Sequence, residues 1–292
     1  MRRPLGRGRT PWNEPAGKAV LGPMTRSDAN DHEICLRDAV ERDDVESTAI
    51  AIAMDHDPAL HAEHVRLELD AVARMLAPRV NEASGHARLG RLLRGIYGEL
   101  GFTSPAAYDD PRLHHIHTVL ERRAGSPVAL AVVIVAVARR LGITLSGVAF
   151  PGHFMVRYEA TAPVFVDPSN GAFPFPAECL RKLAAEELRV DERDAERFLL
   201  PVRARTFAVR LLQNLQRSYE DRGDLGHALV VADRLYEVTG SASARCDRGL
   251  KAALLGAPHA ALEDLSAYLE SHRDDEIERA AAHLHPTMID LN

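Results

Sequence analysis

Apolar positions are densest between Val128 and Leu141, where almost every residue is hydrophobic and no polar face interrupts the run. A segment that is apolar on nearly all sides predicts a helix enclosed by other elements. Ser126 suits the N-cap, where its hydroxyl would accept a free backbone N–H of the first turn. Pro127 suits the first helical position, because no N–H is needed there. Arg139 and Arg140 fall in the last turn, where cations favour the negative helix end, and Gly142 supplies a left-handed stop. At roughly 1.5 Å per residue such a helix is about 20 Å long, short for a membrane span. The β-branched run Val132-Val-Ile-Val135 pulls toward a strand, but the caps and the length decide for helix.

Shorter apolar runs follow. Leu145 to Phe150 and His153 to Glu159 predict two strands around Pro151-Gly152, and Pro163 to Val166 predicts a third, ending in Asp167-Pro168. His153 therefore opens one strand and Asp167 closes the next. Phe173-Pro-Phe-Pro176 reads as extended; a helix from Ala177 to Glu187 and an apolar hinge at Phe198-Leu-Leu-Pro201 complete this part. Upstream, 3.6-residue spacing predicts helices around Ile34–Val40, Val45–Met54, His61–Leu76, Leu89–Tyr97 and Leu113–Arg122.

Beyond Arg203 the pattern repeats. Arg222-Gly223, Ala228-Leu229 and Leu235-Tyr236 recur as Leu255-Gly256, Ala261-Leu262 and Tyr268-Leu269. The offset of about 33 residues is near the tetratricopeptide period. Ala228 and Ala261 would let paired helices approach closely. Two repeats are fewer than a free solenoid needs, so they are expected to stack on the α/β part.

The chain has 292 residues, enough for two domains, and its apolar fraction of 46% is ordinary for a globular protein. A net charge of −6 supplies no basic field for nucleic acid. The three cysteines, Cys35, Cys179 and Cys246, lack disulfide or zinc spacing and fit a reducing cytoplasm. No segment is long enough to span a membrane. Residues 1–30 are rich in Arg, Gly and Pro and are expected to be disordered. Arg2-Arg3 lacks the apolar stretch an export signal needs, and Met24 is an alternative start. The expected layout is a 1–30 tail, a 31–200 α+β domain with a helical cap, helical repeats over 201–275, and a 276–292 C-terminal tail.

The candidate chemistry is His153 and Asp167, because a carboxylate can orient an imidazole whose other nitrogen faces a substrate. A His–Asp hydrogen bond that merely ties two strands is the alternative. His61 and His64, three apart, would share a helix face and could hold a metal, but solvated surface is the expected reading; no metal or cofactor is expected. His115 and His117 precede the core helix and would reach the same cleft as His153. Asn170 is expected to cap a turn rather than hold a ligand.

A central helix followed by strands bearing His and then Asp resembles the papain-like and transglutaminase-like folds. Gly125-Ser-Pro-Val-Ala-Leu130, Phe150-Pro-Gly-His-Phe154 and Val166-Asp-Pro-Ser-Asn-Gly171 are similar to motifs of the bacterial SirB-type family. Leu100-Gly-Phe102, Tyr108-Asp-Asp-Pro111 and Thr118-Val-Leu-Glu-Arg-Arg123 agree with it, and the likeness covers roughly residues 45–272. The resemblance implies a transglutaminase-like core joined to tetratricopeptide repeats. True transglutaminases carry Gly-x-Cys at this helix start; here that slot is Pro127, and the resemblance implies that such a replacement is usual in the SirB-type family. Two functions follow as expectations. In one the protein is a non-catalytic scaffold binding a protein or peptide through its cleft and repeat surface. In the other it is an acyl-transfer or peptide-hydrolysing enzyme using His153 as base, Asp167 as orienter, and Ser126 or water as nucleophile.

Overall fold

A computed structural model describes residues 34–171 and 174–289. The expected tail 1–30, with Met24, lies outside them, as does Phe173. Residues from Ile34 onward form one compact unit. The architecture is α+β: helices predominate around one small antiparallel sheet.

The apolar run is helix α6, Pro127–Arg140, and all of its residues from Val128 to Ala138 except Val135 are buried. The helical cap is α1 (Leu36–Glu41), α2 (Val45–His56), α3 (Ala62–Asn81), α4 (Gly85–Leu93) and α5 (Ile116–Arg122). Ile50, Leu69, Leu92 and Ile116 from this cap pack into the same core as α6. Gly142 takes the left-handed conformation expected of it, with φ +67°.

The Ser126 cap needs correction. Ser126 occupies the N-cap position, but its hydroxyl makes no capping hydrogen bond and is buried without a partner. The main chain fixes this helix start instead. Ser126 N–H donates to Leu113 O at 2.8 Å, Gly125 N–H donates to Thr103 O at 3.1 Å, and Ser126 O accepts from Leu130 N–H at 2.9 Å. Pro127 removes one of the free donors that a cap would serve.

The sheet is a meander of β1 (Leu145–Phe150), β2 (His153–Tyr158), β3 (Val164–Val166) and β4 (Phe175–Pro176). Register pairs Phe150 with His153 and Val156 with Val166. Alternation sends Leu145, Phe154, Val156 and Val166 toward the α6 core. Val148, Phe150, Met155 and Phe165 face the other way, onto Leu180 and Ala184 of α7 (Ala177–Leu188) and onto Ala195 and Leu199. Ala195 ends a short helix, α8 (Glu192–Ala195), which continues as a 3₁₀ turn through Leu199. The sheet is thus covered on both faces. Gly147 on β1 is required by close approach: a Cβ there would lie 2.4 Å from the Phe207 ring.

Five helices follow: α9 (Ala204–Asp221), α10 (Leu225–Thr239), α11 (Ala242–Leu254), α12 (Pro258–Leu269) and α13 (Asp275–Ile289). Helix α9 is shared between these helices and the α6 core, to which it gives Phe207, Leu211, Leu212 and Leu215. Ala228 and Ala261 are both fully buried. Helix α13 runs into the stretch expected as a C-terminal tail, as far as Ile289. Ile277 and Ala281, four apart, bury one face against Leu265 and Cys246. Among the described residues no helix is long and apolar enough to cross a membrane.

Candidate functional site

Antiparallel pairing brings His153 and Asp167 together, because one opens β2 and the other follows β3. Their contact is His153 Nδ1 to Asp167 Oδ2 at 3.2 Å. The Asp167 carboxylate is only 8% exposed, whereas the imidazole is 49% exposed. The other carboxylate oxygen, Oδ1, accepts from Ser169 N–H at 2.8 Å and from Ser169 Oγ–H at 2.6 Å. With Nδ1–H donated to Asp167, the neutral ring leaves Nε2 as an acceptor.

The turn that carries Asp167 is braced from below. Gly171 N–H and Asn170 N–H donate to Asp167 O at 2.8 and 3.1 Å. Tyr97 Oη–H donates to Pro168 O at 2.9 Å. The Tyr97 ring lies against Gly171, where a Cβ would come within 2.4 Å and where φ is +57°. No other residue type meets both demands without strain. Tyr97 sits in a π-helical turn, Arg94–Glu99, continuing α4; such turns aim side chains that a regular helix would not. Burial first, then the Asp167 charge, pushes the Tyr97 phenol upward, so it stays a neutral donor.

The dyad opens on a cleft of about 430 Å³, lined on one side by Pro127 and Val128 at the start of α6 and on others by Tyr108, Asn170 and Arg210. Ser126 does not line it and is fully buried. Cys35 and Cys179 are exposed elsewhere and Cys246 is buried on α11, so no thiol reaches the cleft. The site can accept or hold a proton at Nε2 and can hydrogen-bond a ligand. Asn170 lines the cleft, and its N–H closes the turn.

Restoring a thiol tests this geometry. A Pro127→Cys side chain would sit at a helix N-terminus, facing the same cleft as His153, and both influences favour the thiolate. It is expected to react with iodoacetamide at pH 7 roughly ten times faster than Cys35 and Cys179. Adding His153→Ala should remove most of that advantage, read by peptide mass mapping over time.

Other expected candidates lie elsewhere. His61 and His64 meet edge-on with centroids 5.4 Å apart at the exposed start of α3. Among the described residues no group of three or more His, Cys, Asp or Glu side chains is arranged to hold a metal ion. The expectation for His115 and His117 is corrected: they point away from the cleft of His153. His115 stacks on His56 with centroids 4.4 Å apart, and His115 Nε2 lies 3.3 Å from Tyr219 Oη. His117 lies beside His115. The start of α5 turns these rings toward α2 and α9, not toward β2.

Sequence reasoning missed the work of Tyr97, Ser169, Arg210 and Asn214. Asp167-Pro-Ser169 is a turn signature that would have flagged Ser169, since a hydroxyl two residues on reaches the Asp side chain. The other three have no local signal.

A family model described as transglutaminase-like superfamily matches residues 63–213. A UPF0162 protein of Xylella fastidiosa is 38% identical over 231 residues, covering 77% of this chain and 82% of that protein. A UPF0162 protein of Pseudomonas aeruginosa is 33% identical over 192 residues, 65% of this chain and 70% of its own. Protein SirB1 of Salmonella typhimurium is 28% identical over 232 residues, 72% of this chain and 80% of its own. No solved structure matches the chain.

Proposed function

The chain belongs to the transglutaminase-like superfamily, with UPF0162 and SirB1 relatives, and on that premise we propose that it is a non-catalytic scaffold whose cleft receives a protein or peptide. The observation that carries this reading is the helix start. The position that holds the nucleophilic Cys in the transglutaminase pattern is Pro127, and Pro127 and Val128 are what α6 presents to the cleft. A His–Asp pair without a nucleophile can still orient a polar ligand, because Nε2 remains open as a hydrogen-bond acceptor.

The paired helices α9–α10 and α11–α12, with their period near 33 residues, we read as tetratricopeptide-like hairpins. In this reading they extend the binding surface beyond the sheet. Three free thiols suit a reducing compartment, and we place the protein in the cytoplasm.

The half-exposed His153 ring favours one second reading, hydrolysis by a water that His153 activates. The serine version has less support, because the Ser126 hydroxyl is sealed from the cleft. A random hexapeptide pool incubated with the protein and followed by mass spectrometry separates these readings. The scaffold reading expects retained peptides of unchanged mass. Cleaved peptides, abolished by His153→Ala in a folded protein, would overturn it.

A further inference from the structure

The cleft over the dyad does not end at the sheet. Tyr108, Gly152, Arg210 and Asn214 line both it and an adjoining groove of about 590 Å³, which runs along α9 toward α11. The two adjoin over these shared residues and make up a channel between them. The charges along it are uneven. In the groove, Glu220 and Asp247 are both held by Lys251, at 2.7 and 2.5 Å. In the chamber over the dyad, Arg210 is the only Lys, Arg, Asp or Glu among the lining residues. Asp167 lies behind the wall, already bonded to His153 and Ser169.

Arg210 is half-buried and makes no hydrogen bond or ion pair with any described residue. Arg217, on the same helix and lining the groove, also makes no hydrogen bond or ion pair with a described residue, but it is exposed, whereas Arg210 is half withdrawn from solvent. Arg203, just before the helix, and Arg205 are engaged, with Asp43 and with Thr239 O. A partly desolvated guanidinium presents a planar fork of donors that matches a carboxylate. One turn along α9, Asn214 lines the same chamber, and Asn170 lines it from the dyad turn. An amide carries one acceptor and two donors, the complement of a peptide unit.

We propose that the channel binds an extended peptide with a carboxylate seated on Arg210, its neighbouring main-chain amides on Asn214 and Asn170, and the rest of the segment along α9. This rests on the peptide-binding reading above and adds the chemistry that selects the ligand. The carboxylate can come from a peptide C-terminus or from an Asp or Glu side chain, and both present the same two oxygens to the fork.

The test uses three fluorescein-labelled hexapeptide pools drawn from Ala, Leu, Ser and Gln: one with free C-termini, one amidated, and one amidated with a single Glu at varied positions. Anisotropy with the full chain is expected to show about tenfold or tighter binding for a carboxylate pool over the neutral one, the ratio a charge-assisted hydrogen bond supplies. Which carboxylate pool prevails assigns the source. Arg210→Ala should erase the preference while Arg210→Lys keeps part of it, with circular dichroism confirming that both variants fold. Equal binding of the neutral pool, or a preference that survives Arg210→Ala, overturns the Arg210 assignment and leaves the peptide reading standing. No binding by any pool overturns both.

Discussion

Between pH 7 and pH 5 the protein is expected to lose about 2 kcal/mol of folding stability through His114 alone. His114 is buried where α5 meets α9, with Nε2 bonded to Tyr108 O at 3.1 Å and near Ser218 Oγ at 3.2 Å. Burial, which outweighs the opposing Tyr108 carbonyl and the Asp110 charge, pushes its pKa down to about 4. His115 shifts the same way, well below its ordinary value, through burial first and then the rings of His56, His117, His114 and His227. His56 and His117 are lowered by burial too, and Asp57 opposes that in both cases, helped by Asp224 at His56 and by Glu121 at His117. The direction follows from proton counting. Below pH 6.5 the unfolded chain takes up protons that the folded chain refuses, so the stability contribution is complete above 6.5. It is lost as pH falls toward the folded values. Carboxylates with depressed values, Asp44, Asp110 (down to about 2), Glu178, Glu220, Asp224 and Asp264, bring their losses only below about pH 4.5. Urea unfolding at pH 7 and pH 5 reads the summed histidine effect, opposed by Glu68, whose carboxyl burial and Glu121 push upward, and His114→Gln should flatten the slope by about one proton.

The second large effect is Arg140→Ala, with an expected loss of about 3 kcal/mol. Arg140 ends α6 and reaches across to α2, donating to Glu46 at 2.6 and 3.1 Å, and to Asp70 on α3. Glu46 is 5% exposed, so removing its main partner leaves a carboxylate in the interior. Arg66 and Arg139 lie 3.9 and 3.6 Å from it and soften the loss without replacing the bidentate pair. The double variant Arg140→Met with Glu46→Leu should recover much of the stability, because it removes both charges together. Chemical denaturation of the single and double variants checks the pair. A double variant as unstable as the single one would show that the side chains' shape, not their charge, holds the three helices.

What could be read in the sequence was local. Helix α6, its left-handed stop at Gly142, the turn between β1 and β2, and the adjacency of His153 and Asp167 all follow from residues near one another in the chain. The unread parts depend on distant contacts. Ser126 has every local mark of a capping residue, yet Leu113 and Thr103 hold that helix start by their carbonyls. Tyr97 braces a turn some seventy residues on through a hydrogen bond that no spacing announces. The histidine cluster joins His56, His115, Tyr219 and His227 from four helix segments.

A His–Asp cleft without a nucleophile should leave a serine-directed fluorophosphonate unreacted, and intact-mass spectrometry after treatment reads this. The expected mass is unchanged for the parent protein, as for Ser126→Ala and His153→Ala. A stoichiometric adduct on the parent, lost in both folded variants, would overturn the non-catalytic reading.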